Sequence, residues 1–147
     1  MEFTEAKLGR IFILRLHDGE CLHDIVESFA AEKKISAALI LFLGGANIKS
    51  KIVVGPEKGD SIPPIPMITL LNGVHEAQGI GTIFKDENGK PKLHMHSSFG
   101  RKRNTITGCV RLGVDIWRIG EIIILELTKN SATRVKDKET GFEFLEI

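Results

Sequence analysis

This 147-residue sequence predicts an α+β protein: a mixed or antiparallel sheet carrying one main amphipathic helix, in a single domain spanning residues 1–147. Three observations lead there. Many short runs of large apolar and β-branched residues are bounded by turn signals, as strands are. Only one stretch repeats its apolar residues at three- and four-residue steps, as a helix does. One helix among many strands leaves few parallel crossovers, which favours α+β over α/β.

In chain order, "GRIFILRL", Gly9 to Leu16, is the first strand, broken by Asp18 and Gly19. From Cys21 to Lys34 the residues Leu22, Ile25, Val26, Phe29 and Ala30 mark the helix, with His23, Glu27 and Lys34 toward its wet side. "AALILFLGG", Ala37 to Gly45, is a continuous apolar run, expected to be a strand buried on both faces, or on one face and at an interface. Lys49 to Val54 is a further strand. Gly55 to Pro66 holds four of the five prolines and is expected to be mostly loop, an excursion over the surface or onto a neighbouring subunit. Glu76–Phe84 and Lys92–Ser98 flank Asn88-Gly89, a pair suited to the positive φ angles of a tight hairpin. Ile106–Leu112, Glu121–Leu127, Ala132–Val135 and the final "GFEFLEI" complete the expected strands.

Composition sets limits on function. A 42% hydrophobic content supplies a core without staples, and a chain this long buries roughly 68–70% of its unfolded surface. Twenty basic residues against 19 acidic give a net charge of only +1. A protein built mainly to grip nucleic acid carries a clear basic excess, because neutralising phosphates supplies most non-specific affinity. The start "MEFTEAKLGR" lacks the pattern of a signal peptide, and no apolar run approaches the roughly 18 residues of a membrane span. The expectation is a cytoplasmic protein with no membrane partner, its two cysteines, Cys21 and Cys109, both reduced.

The stretch "LHMHSSFGRKRNTITGCV" carries the chemistry. Residues i and i+2 of a strand share a face, so His94 and His96 project together and Met95 points away. Two such imidazoles can chelate a divalent ion, and zinc suits nitrogen donors joined by a sulfur. Cys109, in the next expected strand about 4.8 Å away, is the candidate third donor. His75 and Glu76 are the other neighbours, Glu76 as a ligand or as a carboxylate orienting a histidine or a bound water. Against this stands the plain alternative of two histidines bonded in a polar groove and a cysteine serving as a small buried apolar residue. Arg101, Lys102 and Arg103 form a basic loop, either solvated or offering a cation near the histidines. His17 and His23 have no partner in the sequence pattern.

Four segments together resemble the plants-and-prokaryotes-conserved (PPC) domain in its free-standing prokaryotic form. They are the opening strand–helix–strand to "FLGGA", "HEAQGIGTI" with Glu76, "GKPKLHMHSSFG" matching Gly-x-Pro-x-x-His-x-His, and the closing "EIIILELTKNSATRVKDKETGFEFL". Where the family continues with Gly-Gly-His, this chain reads Thr107-Gly108-Cys109, a cysteine in place of the third histidine. The resemblance implies an α+β protomer similar to the acetolactate decarboxylase-like fold, and a homotrimer packed through sheet faces. It implies a metal, zinc, at His94, His96 and Cys109, and a DNA-binding or regulatory role without the AT-hook arm of the plant proteins. The alternative is a zinc-dependent lyase or hydrolase acting on a small carboxylate or carbonyl substrate. There Glu76 would serve as general acid/base, and Arg111 would hold the small anionic ligand, ahead of Arg101 and Arg103.

Overall fold

The computed structural model describes all of residues 1–147. The chain runs β1 (Lys7–Leu16), α1 (Leu22–Glu32), β2 (Ala37–Ala46), β3 (Lys51–Pro56), β4 (Pro66–Leu70), β5 (His75–Lys85), β6 (Pro91–Arg101), β7 (Asn104–Cys109), β8 (Ile116–Thr128), β9 (Thr133–Lys136) and β10 (Glu143–Glu146). Eight strands form one sheet in the order β1-β8-β2-β5-β6-β7-β3-β4, while β9 and β10 form a separate two-stranded ribbon. Every pairing between strands of the large sheet is antiparallel.

The helix and the two central strands lie close to their expected bounds, because their patterns are long and uninterrupted. Elsewhere the sequence misleads. Pro66–Leu70 pair with β3 as an edge strand just past the Gly55–Pro66 loop, where the sequence predicts no element. Pro66 opens that strand, a position that needs no backbone donor. The strand expected over Ile106–Leu112 ends at Cys109, where the chain turns through Gly113 at φ +102. β8 begins at Ile116 rather than Glu121, passing through Arg118 at φ +62. Its register slips where it meets Gly44 and Gly45, and a Cβ on either glycine would run into Ile119 O or Trp117 O. Those two glycines let β8 bulge against β2 without losing contact.

Alternation decides which face of the sheet is inside. Ile40, Ile83, Met95, Phe99, Ile122 and Ile124 are at most 1% exposed and lie with Leu22, Val26 and Ala30 of α1 in one core. The opposite face stays open. Directly paired residues form a row across it: Ile13 faces Ile123, then Leu41, Ile80, His96, Cys109 and Val53. Its first four members are apolar and exposed, Ile13 by 82% and Ile80 by 65%. β2 is thus buried on one face, and its other face, with Leu41 and Leu43, is exposed.

Candidate metal centre

Two tight hairpins place the donors. Between β5 and β6 the Asp86 carboxylate accepts the backbone N–H groups of Asn88 and Lys90, both at 2.9 Å, and Gly89 takes φ +76. Those bonds hold the Asp86 carboxyl below its usual range. The turn fixes the register that sets Thr82 opposite His94 and Ile80 opposite His96. Between β6 and β7 the chain reverses through Lys102, at φ +57, and Arg103. That second turn sets Cys109 opposite His96.

The consequence is a three-donor cluster. One ligand atom from each of His94, His96 and Cys109 lies within 4.8 Å of the others. The two imidazole rings stand at 86° with centroids 5.0 Å apart. Zinc–nitrogen and zinc–sulfur bonds of about 2.0–2.3 Å imply tetrahedral donor separations of roughly 3.3–3.7 Å, within reach of small side-chain rotations. Cys109 is buried and the histidines are exposed, so the sulfur is shielded while the imidazoles face an opening. Two imidazoles and a thiolate make a set that fits zinc.

That opening exists because β7 stops early. Past Val110, whose N–H still reaches Met95 O at 3.1 Å, the β6 edge has no partner strand, and the Leu93 N–H is taken instead by Glu27 Oε1 of α1 at 2.9 Å. The gap widens into a groove of about 950 Å³ between β6, β3 and the β9–β10 ribbon. Its charged lining includes Lys92, Arg111, Arg134 and Lys136, with Glu27 and Glu143 opposing. Partial desolvation in the groove pushes the His94 imidazole below its ordinary pKa, and the positive charges of Arg134, His96 and Arg111 push it further. A neutral imidazole keeps the lone pair that a metal needs.

The other expected residues scatter. Arg111 lies in the turn after β7 and lines the groove, though not as part of a regular strand. Glu76 shares the histidines' face but pairs with Gly100, four residues along from Ile80 and about 14 Å away along the strand. It lines a smaller groove with Trp117, Arg118 and Glu121. His75 is buried, its Nδ1 2.8 Å from Gly73 O, and serves no donor cluster. Arg101 donates to Val74 O at 2.7 Å at the end of β6, so the basic turn lies away from the histidines. His23 does find a partner, with Nε2 3.3 Å from Glu27 Oε1. Arg134, buried beside the centre, entered the sequence reading only as a position of the closing segment that resembles the family, and Thr82, facing His94, carried no signal.

An antiparallel sheet backed by one helix, with a His-x-His pair and a facing cysteine beside a cationic groove, defines a small α+β protein with a candidate metal centre. The sequence profile of the Plants and Prokaryotes Conserved (PCC) domain matches residues 3–128, and the chain belongs to that family. The fold is similar to that of a metal-containing protein from Archaeoglobus fulgidus, at 24% identity, TM-score 0.85 and full coverage of both chains. A plant- and prokaryote-conserved (PPC) protein from Pyrococcus horikoshii matches at 24% identity and TM-score 0.82, again over 100% of each. A "putative DNA binding protein" from Bacteroides thetaiotaomicron matches at 16% identity and TM-score 0.76 over 96% of each chain. No curated protein matches the sequence. No helix is long and apolar enough to cross a membrane.

Proposed function

We propose that the protein is a metal-binding module, one domain over residues 1–147, that holds a divalent ion, zinc, between His94, His96 and Cys109. The observation that carries this reading is the donor cluster, three ligand atoms within 4.8 Å from two adjacent strands. The Archaeoglobus relative, described as metal-containing, supports it. Zinc held there would act as a Lewis acid with one open position, the cysteine thiolate taking the place of a third imidazole. His94 and His96 would bind through their lone pairs, and buried Cys109 would shield the ion from the core side.

The module assembles, in this reading, as a homotrimer closed through the open sheet face. Ile13, Ile123, Leu41 and Ile80 form an apolar strip that a second copy would cover, and exposed strips of this kind mark interaction surfaces. A DNA-associated role follows the Bacteroides relative's description, and the reading adds a cytoplasmic, regulatory setting; the net charge of +1 makes any such binding weak and steeply salt-dependent.

The second reading, a zinc-dependent lyase or hydrolase on a small carboxylate or carbonyl substrate, is favoured by Arg111 and Arg134 beside the cluster. It also invokes the acetolactate decarboxylase-like fold, an analogy of architecture alone. Because Glu76 lies in another groove of the protomer, a Glu76→Gln variant with unchanged turnover would remove it from that role. The direct test of the main reading is metal analysis of protein purified without a histidine tag. One zinc per chain, lost in Cys109→Ala, supports it; metal-free protein that takes up no added zinc refutes it.

A further inference from the structure

We propose that the groove beside His94, His96 and Cys109 binds a small oxyanion, a carboxylate or a phosphate, on the guanidinium of Arg134, with Arg111 as the second cation. The location rests on the groove, and the inference deepens the metal reading without requiring it. Arg134 is only 5% exposed and forms no ion pair. A guanidinium has five N–H donors in a fixed fork. Two are engaged, Nη2 by Thr82 Oγ1 at 2.9 Å and Nη1 by Glu143 O at 3.3 Å. Nε is buried without any partner.

No carboxylate pairs with Arg134, and the Glu143 side chain in the same groove is its one counter-charge; a buried charge only partly compensated is costly. A purely mechanical role, tying the β9–β10 ribbon to β5, explains the two engaged donors. It does not account for the orphaned Nε, a donor that such a role leaves without a partner. The position is also informative. Thr82 directly faces His94, so Arg134 is anchored one strand away from the imidazole. The Phe84 ring lies 5.8 Å from the guanidinium carbon, and Arg134 lines the groove. Lys92 and Lys136 add positive potential; of the two acidic groups present, Glu27 is bonded to Leu93 N–H and lies beside His23, and Glu143 stands near Arg134 without forming an ion pair with it. An oxyanion seated on Arg134 would lie next to the donor cluster, placed to share an oxygen with an ion held there.

Isothermal titration at low ionic strength tests this with two probes, oxalate and inorganic phosphate, on chelator-treated and zinc-loaded protein. The expected result is binding of at least one probe to the chelator-treated parent, weakened about tenfold or more in Arg134→Met and less in Arg134→Lys and Arg111→Ala. Preference for oxalate or for phosphate identifies the carboxylate or the phosphate class. No binding of either probe, or equal binding by parent and Arg134→Met, overturns the proposal. Should Arg134→Met not fold, amide shifts of the parent on phosphate addition decide. Changes at Thr82, Phe84 and Arg134 support the site, and changes confined to the Lys102–Arg103 turn overturn it. Zinc uptake without anion binding defeats this inference alone; anion binding without zinc uptake defeats only the metal reading.

Discussion

In a trimer closed through the open sheet face, Ile80→Asp puts an unpaired carboxylate at the centre of each contact. Fully burying an isoleucine contributes about 1.5–3 kcal/mol. Ile80 is 65% exposed in the protomer, so covering what remains is worth about 1–2 kcal/mol per copy, or about 3–6 kcal/mol per trimer. At about 1.4 kcal/mol per decade this alone weakens assembly by roughly two to four orders of magnitude, and desolvating the carboxylate adds several kcal/mol more. The side chain leaves β5 away from the core, so the protomer should fold as before. Sedimentation velocity across micromolar concentrations should show trimeric parent and monomeric variant, with matching circular dichroism. Ile48→Asp, at an exposed apolar position outside the row, should leave the trimer intact. A monomeric parent, or a variant that assembles as the parent does, would refute the reasoning.

Cys109→Ala should weaken zinc by more than about a hundredfold, since even partners behind a ligand are worth 10–100-fold, while Cys109→His should retain it; competition with a chromogenic chelator measures both. Phe99→Ala, at a fully buried site between β5 and β7, should cost about 3–5 kcal/mol in urea unfolding. The Arg10 guanidinium, 2.7 Å from both Glu126 carboxylate oxygens, holds that carboxyl below its usual value near 4.5. A depressed folded pKa contributes stability above the unfolded value and loses it as pH falls through the folded one. The parent should therefore exceed Glu126→Gln in melting temperature at pH 7, with the gap closing below about pH 4; a gap constant down to pH 2 would contradict the ion pair's role.

Which features the sequence revealed follows from how local their causes are. The helix and β2 were legible because each is set by its own apolar spacing. The donor set was legible for a similar reason: His94 and His96 share a face by strand geometry, and two hairpins bring Cys109 opposite His96. β4 was hidden because prolines crowd the segment before it and it pairs only as an edge strand. Val110 and Leu112 extend the apolar pattern past Cys109, and the turn at Gly113 overrides them. Glu76 illustrates the limit of face arguments. It lies on the right side of the sheet but too far along the strand, a separation set by register. The place of Arg134 beside the donors was not legible, although its segment resembled the family, because it depends on the β9–β10 ribbon folding back over Thr82, a tertiary contact with no trace in local spacing.

The central claim is tested most directly by a crystal structure of untagged protein with diffraction recorded on both sides of the zinc absorption edge. The account predicts one strong anomalous peak bonded to His94, His96 and the Cys109 sulfur, with a fourth position open to the groove. No peak there after zinc soaking, with the thiol turned away and the imidazoles bonded only to protein, would contradict it.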